Sequence, residues 1–234
     1  MNDIPSVARI LHPFDGVEVL TLAVDDAFEM TRGATILSEQ EKCRLARIRH
    51  GATRRRYAAA HCLLRQALTR YAEGALRPEE WRFVFGAHGK PAVAPGLPEI
   101  RFNLSFADDC IAMSLTRSRE IGIDIEPMPG DIDEPMPFGI SPREEALLRR
   151  LPVDARARQI ARVWTFKEAI AKAIGCGIDD RFTQIDACPV LLTARSDYWA
   201  TVDGETFDVR LADVQFRGKT YFMAVAVGPV AASG

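Results

Sequence analysis

An α+β fold in two similar halves, related by a pseudo-twofold, is predicted by three observations. Helical and strand periodicities are mixed along the chain, and no long repeat is visible by identity. Both halves show the same coarse order, helices combined with a few antiparallel strands. The length, 234 residues, suits one large domain or two modest ones. The halves are expected to meet near residues 117–121, giving an N-terminal α+β subdomain at 1–118 and a C-terminal one at 119–234. Each packs helices on a small, mainly antiparallel sheet.

Taken in order, Ser38 with Glu41 three residues on is a capping-box pattern that opens a short helix over 39–48. A longer helix over 53–73 follows, with Tyr57, Ala60, Leu64, Leu68 and Tyr71 at helical spacing and Gly74 as its stop. Residues 81–85 read as a strand, and the Gly/Pro-rich "AHGKPAVAPGLP" reads as loop. Short strands are expected at 101–104 and 111–116, with "SFADD" turning between them, and again at 122–126. A Pro/Asp/Met-rich loop spans 127–137, and its acidic "PGDIDEP" reads as solvated. Ser141-Pro142 with Glu144 starts another helix, and Asp154 is placed as the cap of a long helix ending at Gly175. Strands at 198–202, 207–211 and 220–227 follow, the first two joined by an Asp203-Gly204 turn.

Composition excludes several classes. A net charge of −2 gives no global field toward nucleic acid or membrane. The start lacks the basic and apolar regions of a signal peptide, and the longest nearly apolar run is 12 residues, too short to span a bilayer. Five scattered cysteines without C-x-x-C spacing argue for reduced thiols and a cytoplasmic protein, and against zinc. Locally the charge is uneven: between residues 42 and 72 stand nine Lys or Arg and no acid. Such a block favours a polyanionic partner over a solvated face, which usually interleaves both signs.

Candidate chemistry lies in "GIDIEP" at 122–127. Strand alternation puts Ile121, Ile123 and Ile125 on one face and Asp124 with Glu126 on the other. Alone, the pair fits a half-exposed edge strand. Residues i and i+2 are also about 6.6 Å apart at Cα, near enough to converge on one ion, and Mg²⁺ prefers such hard oxygen donors. In "VWTFKEAIAKAIGCGI", Ile160, Val163, Trp164, Ile170, Ala171 and Ile174 form an apolar stripe. Lys167 falls within it, with Glu168 and Lys172 at its edge one turn apart. A surface ion pair accounts for Glu168 and Lys172, and a snorkelling ammonium for Lys167. Neither explains why all three cluster by the buried stripe. A metal–phosphate site does, with Glu168 as ligand or base and both lysines offsetting phosphate charge.

These motifs, in this order, resemble the 4′-phosphopantetheinyl transferases of the Sfp type. Gly122-Ile123-Asp124-Ile125-Glu126 and Trp164-Thr165-Phe166-Lys167-Glu168-Ala169-Ile170-Ala171-Lys172 match that family's paired signature. Gly89-Lys90-Pro91, Phe102-Asn103-Leu104-Ser105, Glu41-Lys42-Cys43-Arg44 and the Arg56–Arg65 helix resemble its upstream elements. The likeness extends by motif over residues 38–178. It implies transfer of the phosphopantetheine arm of coenzyme A to a serine of an apo carrier protein, with Mg²⁺ or Mn²⁺. It implies metal ligation by Asp124, Glu126 and Glu168, with Glu168 also as base and Lys172 on the phosphate under attack. Lys42, Arg56, Lys90, Pro91 and Ser105 would surround the nucleotide and its 3′-phosphate, and the N-terminal half would be the nucleotide side. The family's carrier proteins are commonly acidic, so the basic block has two anionic partners to meet. Nucleic acid and membrane are not expected partners, and two fused halves favour a monomer. One position departs: Phe106 stands where the family usually has histidine. The departure implies weaker discrimination of coenzyme A from its 3′-dephospho form, with residues 54–56 taking more of the phosphate. It also leaves open a catalytically weakened or inactive coenzyme A or carrier-protein binder of the same fold.

Overall fold

Two antiparallel sheets, each covered by a long helix, carry the elements of this chain. The computed structural model describes residues 9–24, 35–86, 88–108, 110–128 and 138–230. The first half runs β1 (Arg9–Leu11), β2 (Val17–Ala23), α1 (Glu39–Arg47), α2 (Gly51–Tyr71), β3 (Phe83–Phe85), β4 (Pro91–Val93), β5 (Arg101–Ala107) and β6 (Cys110–Thr116). The second runs β7 (Arg119–Pro127), α3 (Pro142–Leu148), α4 (Val153–Ile174), α5 (Asp180–Gln184), α6 (Cys188–Leu192), β8 (Asp197–Val202), β9 (Glu205–Phe216) and β10 (Lys219–Val230). Strand order is β1-β2-β6-β5 in one sheet and β7-β10-β9-β8 in the other, with β3-β4 a separate ribbon.

Alternation along the strands sorts the apolar residues into three layers. Leu20, Leu22, Phe102, Met113 and Leu115 meet Ala59, Leu63, Leu64 and Leu68 of α2. Val17, Val19 and Ala112 of the first sheet meet Ile121, Ile123, Ile125, Met223 and Val225 of the second. Phe207, Val209, Ala224 and Ala226 meet Val163, Phe166 and Ile170 of α4. The order is therefore helix, sheet, sheet, helix.

Local signals hold at most boundaries. Ser38 and Glu41 form the reciprocal capping box, and Ser141 with Glu144 forms a second. Asp203 and Gly204 have φ of 52° and 83°, the left-handed pair that a two-residue hairpin turn needs.

Three expectations are corrected, and four elements stood outside the sequence reading. Residues 91–93 are strand rather than loop: Pro91 sits opposite Phe85 in a two-stranded ribbon, where a missing N–H is tolerated. Ser105 and Phe106 continue β5, so the reversal comes later, at Asp108 with φ 47°. Asp154 lies inside the first turn of α4, and Pro152 occupies the cap position. Arg9–Leu11, Val17–Ala23, Asp180–Gln184 and Cys188–Leu192 are elements too short or too weakly patterned to be read. The acidic stretch at 129–135 lies outside the described residues.

Candidate active site at the strand–helix seam

Gly122 lets β7 lie directly on α4. A Cβ there would overlap Ala169 O and Ala173 N, so only glycine fits this approach. Ile121, Ile123 and Ile125 are fully buried between the sheets, and Asp124 and Glu126 turn toward α4. Across from them stand Glu168 and Lys172.

Lys172 Nζ lies 2.6 Å from Asp124 Oδ1, 3.7 Å from Glu168 Oε2 and 3.1 Å from Ser105 Oγ. Ser105 Oγ donates to Asp124 Oδ1 at 2.8 Å and accepts from Ile125 N at 3.3 Å. Asn103 Oδ1 accepts from Ile123 N at 3.0 Å. β5 and β7 are edge strands of different sheets, so these two side chains satisfy an edge that no backbone ladder covers. Asp124 is buried, and among the described residues its Oδ2 has no hydrogen-bond partner.

Burial pushes the Glu126 carboxyl up to about 7, reinforced by the charges of Asp124 and Glu168 and opposed by Lys172 and a hydrogen bond from Trp164. Burial and the Asp124 charge also raise Glu168, against Lys172. The site is thus a desolvated acid cluster short of positive charge. Among the described residues, no group of three or more His, Cys, Asp or Glu side chains is placed to hold a metal ion in this conformation. The Lys172 ammonium lies between two of the acids instead.

Lys167 does not join them. Its side chain is 1% exposed, and its ammonium donates to Glu144 Oε2 at 2.8 Å and Gly139 O at 2.7 Å. It neither snorkels nor reaches the acid cluster, because helix geometry turns it about 100° from Glu168. Glu144, fully buried, also accepts from Ser141 N and Ala187 N. The sequence marked Glu144 only as a helix-start signal, and a partner 23 residues away leaves no local trace.

The remaining candidates are spread out. Lys90 Nζ donates to Ala173 O at 2.7 Å and Ile121 O at 3.3 Å, tying the end of α4 to β7. Lys90 and Pro91 line a cleft of about 590 Å³ with Arg101, Glu120 and Gly175. Arg56 donates to Asp108 O in the β5–β6 turn, and Lys42 pairs with Glu39 at 2.7 Å. Phe106 is exposed on β5.

Comparison with known proteins shows what this seam is similar to. Residues 120–226 match the family model of the 4′-phosphopantetheinyl transferase superfamily. The likeness to that superfamily thus lies in the C-terminal half of the chain. The matched segment contains Asp124, Glu126, Glu168 and Lys172, whereas Lys42, Arg56, Lys90, Pro91 and Ser105 precede it. Similar superfamily proteins include 4′-phosphopantetheinyl transferase HetI of Nostoc, 34% identical over 149 residues, 62% of each chain. 4′-phosphopantetheinyl transferase AcpT of Escherichia coli K12 is 33% identical over 129 residues, 53% of this chain and 60% of that one. AcpT of Salmonella typhi is 33% identical over 135 residues, 56% and 64%. The matches thus span about 60% of these curated relatives.

Proposed function

We propose that the protein transfers the 4′-phosphopantetheine arm of coenzyme A to a serine hydroxyl of an apo carrier protein, releasing adenosine 3′,5′-bisphosphate. The observation that carries this is the meeting of Asp124, Glu126, Glu168 and Lys172 at the β7–α4 seam, with Asp124 Oδ2 buried and unpartnered. Hard oxygen donors, an orphaned carboxylate oxygen and two carboxyls raised by burial and like charge fit a divalent cation, Mg²⁺ or Mn²⁺. Asp124, Glu126 and Glu168 would hold it. When bound, such an ion offsets the charge of the pyrophosphate under attack.

The chain's own groups do the rest. Lys172, on a flexible stem, leaves Asp124 for the phosphate, so that Oδ2 stays open and Oδ1 keeps only the Ser105 hydrogen bond. Glu168, already raised toward neutrality, accepts the proton of the incoming serine. Ser105 and Asn103 fix β7 so that Asp124 stays aimed at the site. Lys42, Arg56, Lys90 and Pro91 serve the nucleotide, making 1–118 the nucleotide side and 119–234 the metal side. Exposed Phe106, where the resemblance implies histidine, favours a second reading, a weakened enzyme or a binder without turnover. None of the five cysteines forms a disulfide, and no helix among the described residues is long and apolar enough to cross a membrane.

The test is mass spectrometry of a panel of apo acyl and peptidyl carrier proteins incubated with coenzyme A and Mg²⁺. A serine-borne gain of the phosphopantetheine mass supports transfer. Coenzyme A binding with no gain on any carrier supports the second reading.

A further inference from the structure

A polar cleft of about 690 Å³ opens where the N-terminal half of α4 passes the 193–196 turn and β9. Arg158, Arg162 and Arg195 line it against a single acid, Asp213. Residues 155–162 of α4 are half-buried, whereas Val163 onward enters the core, so the fold leaves this part of the helix uncovered. Within the cleft Arg162 pairs with Asp213 through Nη1 at 3.6 Å, but its Nε and Gln159 Oε1 are buried without hydrogen-bond partners among the described residues, a donor and an acceptor left for something else to meet. Leu192 adds an exposed apolar rim.

The cleft adjoins the acid seam by two routes. Glu126 pairs with Phe222, and Phe222 with Asp213, so the acid site and the cleft lie on one row of the sheet, about 10 Å apart at the usual strand spacing. Arg158 spans that row: its guanidinium lies 4.9 Å over the Phe222 ring and its nitrogens reach Asp213 and, at 3.1 Å, Met128 Sδ. Along α4, Arg162 is six residues before Glu168, about 9 Å.

We propose that this cleft is where the protein substrate docks, and that the partner presents acidic side chains beside its acceptor serine. The proposal rests on the transfer reading above. Asp124, Glu126 and Glu168 repel any acidic surface that brings a serine to them. Cations about one Debye length away reverse that field at the rim and orient the partner. Paired charges around an apolar patch give register and encounter rate.

The probe is an apo acyl carrier protein from the same panel, fluorescently labelled, with its acceptor serine replaced by alanine. Its binding to the full chain is followed by anisotropy at low and high salt. Arg195→Glu acts on an exposed side chain, and the pair Arg158→Gln with Arg162→Gln removes charge while keeping a polar N–H donor at each position. Each is expected to weaken binding about fivefold or more at low salt, with the difference shrinking at high salt. The KM for unaltered carrier should rise in parallel, with kcat and the KM for coenzyme A held. Unchanged carrier binding in both variants overturns the proposal. So does a result in which the variants alter only self-association in sedimentation, which assigns the cleft to a second copy. Wild-type protein that binds the carrier through these arginines yet transfers nothing contradicts the transfer reading and leaves the docking surface standing.

Discussion

Lys167 and Glu168 are neighbours in sequence with opposite fates: one ammonium is sealed in the interior, and one carboxylate faces the acid seam. Lys167→Met alone strands the Glu144 charge in a fully buried site, a loss of about 3–5 kcal/mol. Replacing both Lys167 and Glu144 by Met should recover most of it, as read by urea unfolding. A double variant no more stable than the single would show that Glu144 is held mainly by Ser141 N and Ala187 N. Glu41 offers a second test. Burial raises its carboxyl, but His61, Arg65 and the Ser38 N–H outweigh that and hold it at about 2, below the ordinary 4.5. A depressed folded-state value stabilises above the unfolded value, so this contribution is complete above pH 4.5 and fades as pH falls toward about 2. Glu41→Gln should flatten the acid limb of melting temperature against pH; an unchanged slope would contradict the assignment. Asp124 and Glu126 were legible because strand alternation is a local rule. The partners of Lys167, Glu144 and Glu41 were not, because each contact closes a loop of about 20 residues or more that no periodicity marks.

At the scale of elements, β7 and α4 set the site through one glycine. Gly122→Ala should separate strand from helix, costing roughly 1–3 kcal/mol of stability and lowering turnover more than coenzyme A affinity. A variant with normal kcat would mean that the close approach of β7 to α4 is not needed. The long helices and β7 showed themselves in the sequence through helical spacing, the Gly175 stop of α4 and alternating isoleucines. Of the β3–β4 ribbon only β3 did; β4 did not, since Pro91 argues against a strand unless its N–H side is unpaired. Asp154 looked like a cap, yet Pro152, at φ −53° and ψ 150°, already breaks the helical path two residues earlier.

For the whole molecule, two sheets share an apolar layer and join at their edges through Asn103 and Ser105. Their motif was visible in the sequence as a resemblance. That its side chains bridge two sheets needed coordinates, because nothing in a seven-residue strand says which edge it meets. The site forms at that join, so a cation and a phosphate would be gripped by the C-terminal half while β5 of the N-terminal half keeps Asp124 in place. The most direct measurement is intact-mass transfer from coenzyme A to an apo carrier by wild type, Asp124→Asn and Glu168→Gln, each with Mg²⁺ and with EDTA, alongside coenzyme A affinity. Modification by wild type with Mg²⁺ alone, and none by either variant at retained fold, is the predicted result. Near-wild-type transfer by either variant, or transfer undiminished by EDTA, would contradict it.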